Sequence, residues 1–114
     1  MKIYIATPVN GRKEKSKIIK LYMAAERVYI LKDKLKERYP KAKMCSFLDL
    51  DDINPANILK MKESEIMGKC VQMVMECGII FMDDGWMFSK GCRVENNVAN
   101  IYGKVIITKK DLEL

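Results

Sequence analysis

The residues best suited to chemistry lie in one short stretch, Asp83-Asp84-Gly85-Trp86-Met87-Phe88-Ser89-Lys90-Gly91-Cys92-Arg93-Val94-Glu95. An apolar run, Gly78-Ile79-Ile80-Phe81-Met82, precedes it and reads as a buried strand, and a helical pattern follows it. The stretch therefore falls at the carboxyl end of a strand, where open α/β sheets bind ligands. Ser89 is placed to cap the helix. Gly91 admits a ligand close to the backbone, and the amides at the helix start favour an anionic group. Glu95 lies about one turn inside the helix, within reach of the crevice beside the first strand. The same S-x-G-x-x-x-E pattern also describes a capped helix with a surface glutamate. Trp86 either stacks on a nucleobase or covers the core. Asp83 and Asp84 either meet ribose hydroxyls or serve the turn.

The rest of the composition narrows the chemistry. There is no histidine, which excludes Ser-His triads, Cys-His dyads and histidine metal sites together. Acid–base work falls to Asp, Glu, Tyr, Cys or Lys. Cys45, Cys70, Cys77 and Cys92 form no C-x-x-C pair and no zinc spacing. Each is expected as a buried, reduced thiol, with Cys70 and Cys77 on one helix face. No metal and no cofactor is expected. The net charge of +6 is uneven. Residues 1–43 hold 13 Lys or Arg against 4 Asp or Glu, and residues 44–114 hold 8 against 11. A basic half suits anionic partners, but its lysines are spread along a helix without interleaved aromatics, as on a solvated surface rather than a nucleic-acid site. No apolar run approaches the ~20 residues of a membrane span. The opening Met1–Pro8 is too short for a signal peptide, so a cytoplasmic protein is expected.

The elements that must position these groups can be read from periodicity. Residues 2–6 predict a first strand, and Thr7–Arg12, with Pro8, Asn10 and Gly11, a loop. A long helix is expected over 13–38, with Ile18, Tyr22, Ala25, Val28, Leu31 and Leu35 on its inner face. Ile19, Met23 and Ile30 widen that face, as for packing on both a sheet and a second subunit. Tyr39-Pro40 ends the helix. A short strand over 42–47, an acidic loop over 48–57 and a second helix over 58–76 follow. The strand 78–82, a third helix over 91–102 closed by a left-handed Gly103, and a strand over 104–108 complete the chain. The order β-α-β-α-β-α-β implies a parallel sheet with right-handed crossovers. The nine methionines fall mostly at core-like positions. One domain over residues 1–114 is expected.

Taken whole, the chain resembles the nucleoside 2-deoxyribosyltransferase-like superfamily, in particular its small, often phage-borne branch. The resemblance rests on the opening Ile3-Tyr4-Ile5-Ala6-Thr7-Pro8-Val9-Asn10-Gly11-Arg12 and, more specifically, on Gly85-Trp86, Ser89, Gly91, Glu95, Ala99 and Gly103. It implies a flavodoxin-like or Rossmann-like α-β-α sandwich of three layers with about four parallel strands. It implies that Glu95 is a nucleophile toward the anomeric carbon of a deoxyribose and that Tyr4 orients it. Ser89 and Gly91 match residues that hold a 5′-phosphate, and Thr7, Asn10, Gly11, Arg12 and Trp86 border the same pocket. The partner implied is a small nucleoside or nucleotide, handled by a homo-oligomer.

The chain departs from the superfamily at two places. Active members carry an aspartate on the second helix where this sequence has Cys70, and Cys77-Gly78 replaces a Cys-Asp pair. A thiol is a poor substitute for a carboxyl group. Glu63, Asp49 and Asp51 are alternative acids. Two functions follow as expectations: an N-glycosyl bond enzyme built on Glu95, or a nucleotide-binding module without catalysis, such as a phage regulator.

Overall fold

A computed structural model of the chain describes residues 1–9, 16–49 and 60–112. Strand β1 (Lys2–Ala6) buries all but its first residue. Helix α1 (Lys17–Arg38) follows, then β2 (Lys43–Cys45), α2 (Glu63–Glu76), β3 (Ile79–Met82), α3 (Lys90–Ile101) and β4 (Val105–Thr108). The four strands form one parallel sheet in the order β2-β1-β3-β4. This is the parallel three-layer α/β arrangement expected. β1 is central because Ile3 pairs with both Met44 of β2 and Ile79 of β3. Near-continuous apolar runs such as Ile79–Met82 suit strands covered on both faces. Right-handed crossovers place α1 on one face of the sheet and α2 and α3, which pack together, on the other.

Local chemistry sets the element ends. The Ser16 hydroxyl accepts the Ile19 N–H and starts α1; the expected start at residue 13 lies outside the described residues. β2 stops at Cys45 rather than running to residue 47. The Asp49 carboxylate accepts the Ser46 N–H at 2.8 Å and the Ser46 hydroxyl accepts the Leu48 N–H at 3.1 Å, which turns the chain into a short 3₁₀ segment, Phe47–Asp49. α2 begins at Glu63; Lys60, within the expected helix, is helical but separate from it, and residues 58 and 59 lie outside the described residues. Met61 and Lys62 are non-helical, and Glu63 and Glu65 complement the helix dipole from its first turn. Gly103 has a φ of 66°, the left-handed cap expected after α3.

Helix α1 buries Val28, Leu31 and Leu35 as the periodicity suggested, but its amino-terminal half is rotated from the expected face. Leu21, Ala24, Val28, Leu31 and Leu35 are buried, whereas Ile18 and Tyr22 join Ile19, Tyr29 and Ile30 in solvent. The amino-terminal half of α1 is apolar nearly all round, so spacing alone does not fix its phase. The methionines are also less internal than expected: only Met82 is fully buried among the described residues, and Met1, Met75 and Met87 are exposed. Cys77 lies just past the end of α2 rather than on the helix face of Cys70. Among the described residues no helix is long and apolar enough to cross a membrane.

Candidate active site

The strand order places the site. The chain moves from β1 to β2 in one direction and then crosses back to β3 on the other side of β1. The loops leaving β1 and β3 therefore diverge, and a crevice opens between their carboxyl ends. Tyr4 and Thr7 come from β1 and its exit. Ser89, Gly91 and Glu95 come from the start of α3. Together with Cys70 and Glu63 of α2, they line one cavity of about 290 Å³. Its apolar walls include Leu21, Phe47, Ile66 and Met67.

Glu95 reaches this cavity because it stands on the buried stripe of α3. Cys92, Glu95, Asn96 and Ala99 share that stripe, at the three- and four-residue steps of one helix face. Ser89 fixes where the helix begins. Its hydroxyl accepts the Cys92 N–H at 3.3 Å and keeps its own O–H free to donate. Gly91 occupies the first turn. A methyl group there would stand 3.9 Å from the Met67 sulfur, an ordinary contact. Packing thus does not demand glycine, and a side chain would take space from the cavity instead.

The electrostatics single out the carboxylate. Glu95 is 5 % exposed, and its Oε2 is buried without a hydrogen-bond partner among the described residues. Burial raises its pKa to about 7, while the neighbouring Tyr4 hydroxyl pulls it down. The Tyr4 pKa is raised well above its usual value, by burial first and then by the neighbouring Glu95 and Cys70. Burial, then the Glu95 charge, lifts the Cys70 thiol to about 11, and burial lifts Cys92 to about 12. Both thiols are neutral at pH 7. Glu95 is poised between its two forms, which is the condition for a group that must react as an anion and survive in an apolar wall.

The expected site residues separate into three groups. Tyr4, Thr7, Ser89, Gly91 and Glu95 line the cavity. Trp86 does not; it packs part-buried against the core. Asn10, Gly11 and Arg12 lie outside the described residues, as does Asp51. Asp83 takes the structural side of its two readings. Arg27 Nε and Nη2 donate to its carboxylate at 3.0 Å each, and it also accepts the Asp84 N–H at 2.8 Å. The Asp49 carboxylate is used by its own turn. Glu63 does line the cavity. Sequence reasoning missed Arg27 and the walls Phe47 and Met67. Their partners lie far away in the chain, and no local pattern marks them. Among the described residues no group of three or more His, Cys, Asp or Glu can hold a metal ion.

No curated protein matches the chain. A family model does match, over residues 1–108, which takes in every element from β1 to β4 and the whole cavity. The chain belongs to that family, described as a domain of unknown function, DUF4406.

Proposed function

We propose that the chain cleaves or transfers the N-glycosidic bond of a deoxynucleoside or its 5′-phosphate, with Glu95 as the nucleophile. The observation that carries the proposal is Glu95 itself: a buried carboxyl with no cation beside it among the described residues, near the Tyr4 hydroxyl, facing a cavity of nucleoside size at the β1–β3 crevice. The resemblance to the nucleoside 2-deoxyribosyltransferase-like superfamily at Tyr4, Ser89, Gly91 and Glu95 supports the same reading.

In this reaction the Glu95 carboxylate attacks the anomeric carbon. A C–O ester bond forms as the C–N bond breaks, and the base leaves with the electron pair and takes up a proton. Water then hydrolyses the ester, or a second base displaces it. The logic is that of a retaining glycosidase, in which a carboxylate stabilises an oxocarbenium-like state and then bonds to it. The apolar walls exclude water from the ester, and the Tyr4 hydroxyl holds the carboxyl in place. The leaving base draws its proton from solvent or from Glu63 at the cavity edge. Exposed Ile18, Ile19, Tyr22, Tyr29 and Ile30 on α1 offer an apolar face for the self-association that the resemblance implies. Ultracentrifugation showing a monomer at every concentration would remove that part.

A second reading is favoured by one observation. Cys70 stands where active relatives carry an aspartate, and its thiol is neutral. That arrangement suits a module that binds a nucleotide without cleaving it. Incubation with a panel of deoxynucleosides and deoxynucleotides separates the two. The enzyme reading expects release of free base, reduced roughly a thousandfold or more by Glu95→Gln. Ligand-induced thermal shifts without base release would replace it with the binding module.

A further inference from the structure

Two thiols outside the cavity approach each other closely. The sulfurs of Cys45, at the end of β2, and Cys77, just past α2, are 3.2 Å apart. The Cys45 sulfur also lies 3.6 Å from the Ile3 carbonyl of β1. The two residues are 32 apart in sequence, so the fold alone brings them together. All four cysteines are free thiols, and Cys70 and Cys92 belong to the wall around Glu95. The 45–77 pair serves no role in the proposed reaction.

We propose that Cys45 and Cys77 form a redox couple that closes to a disulfide under peroxide. Cys45 is half-buried, and so gives an oxidant access that the buried Cys77 does not. A bonded pair needs sulfurs about 2.05 Å apart, an approach of roughly 1 Å from the observed 3.2 Å. The Cys45 thiol beside Cys77, and then Lys2 and Lys104, favour the anionic form of Cys77 against the opposing effects of burial and Glu76, while the same contact and burial hold Cys45 in its neutral form; Cys77 is thus the partner that attacks sulfur. First, one thiol reduces hydrogen peroxide. An S–O bond forms, the O–O bond breaks, and one water leaves. The neighbouring thiolate then attacks the resulting sulfenic acid, forming the S–S bond and releasing the oxygen as a second water. Two thiols and one peroxide give one disulfide and two waters.

The cross-link would join two walls of the cavity. Cys45 leads within two residues to Phe47, and Cys77 closes the helix that carries Cys70, Met67 and Glu63. Closing a loop of this length restricts the unfolded chain, so the oxidised protein is expected to melt several degrees higher. This inference does not depend on the glycosyl-transfer reading.

The test is to treat the folded protein of residues 1–114 with equimolar hydrogen peroxide, block free thiols and map the peptides by mass spectrometry. A Cys45–Cys77 cross-linked peptide with Cys70 and Cys92 still blocked as free thiols is expected. It should disappear in Cys45→Ser, a substitution at a half-buried position, and reverse with a dithiol reductant. Oxidation that stops at a sulfinic acid on Cys45, or that links other cysteines equally, would overturn the proposal. Because the unsubstituted protein already decides the outcome, a variant that fails to fold does not blunt the test.

Discussion

Two buried carboxylates flank the β1–β3 crevice, and they are treated in opposite ways. Asp83, at the exit of β3, has a side chain 4 % exposed, and Glu95, on α3, is 5 % exposed. Asp83 is clamped by the Arg27 guanidinium and by the Asp84 amide. Glu95 has the nearby Tyr4 hydroxyl and, among the described residues, no cation and one oxygen without a partner. The Asp83 side borders a smaller cavity of about 200 Å³, whose walls include Arg27, Met23 and Thr7. The Glu95 side borders the larger one. Equal burial thus gives two different groups. A carboxylate with its charge matched holds the loop after β3 against α1. A carboxylate left unmatched costs stability and keeps its reactivity.

The comparison can be broken at several points. The largest effect after loss of base release in Glu95→Gln is expected at the clamp. Arg27→Met leaves Asp83 buried without its cation and should destabilise the protein by about 2–3 kcal/mol, discounted because the Arg27 side chain is 31 % exposed. The double variant Arg27→Met/Asp83→Asn should recover much of that loss in urea unfolding. Strict additivity would show that the pair is not coupled.

Glu95→Gln should act in the opposite direction. The folded pKa of Glu95, about 7, lies above its unfolded value of 4.5. Between those values the folded state holds a proton that the unfolded state has released, so stability falls as pH rises through the window. The amide removes this cost. The variant should be more stable than the parent by about 2 kcal/mol at pH 8, with the gap closing toward pH 5. A gap independent of pH would contradict the raised pKa. Tyr4→Phe should have the smallest effect, lowering base release roughly tenfold, the worth of one hydrogen bond to a charged group. Because the hydroxyl pulls the Glu95 pKa down, its loss should also move the rise of activity to higher pH. An unchanged pH profile would show that Tyr4 does not touch the reacting carboxyl.

The sequence carried the strand–helix order, the Ser89 cap, the Gly103 cap and the placement of Glu95, because each of these is set by neighbours within a few residues. The phase of α1 was legible in its second half, at Val28, Leu31 and Leu35, but not in its first turns. Apolar residues surround its first turns, and only the sheet decides that Leu21 and Ala24 face inward while Ile18 and Tyr22 do not. The Arg27–Asp83 clamp joins residues 56 apart and the Cys45–Cys77 pair residues 32 apart. Nothing local announces either one, since a lysine-rich helix offers several cations at similar spacing. The burial of Glu95 was half legible: its place one turn inside α3 was in the spacing, but its inward orientation, with no cation opposing it among the described residues, is a fact of three dimensions.

The central claim is that this unmatched carboxyl bonds to the sugar. Acid-quenching the protein during turnover of a deoxynucleoside and mapping its peptides tests the claim most directly. A deoxyribosyl ester on the peptide containing Glu95, absent from Glu95→Gln, is the predicted result. Base release that proceeds without any adduct, and continues undiminished in Glu95→Gln, would contradict it.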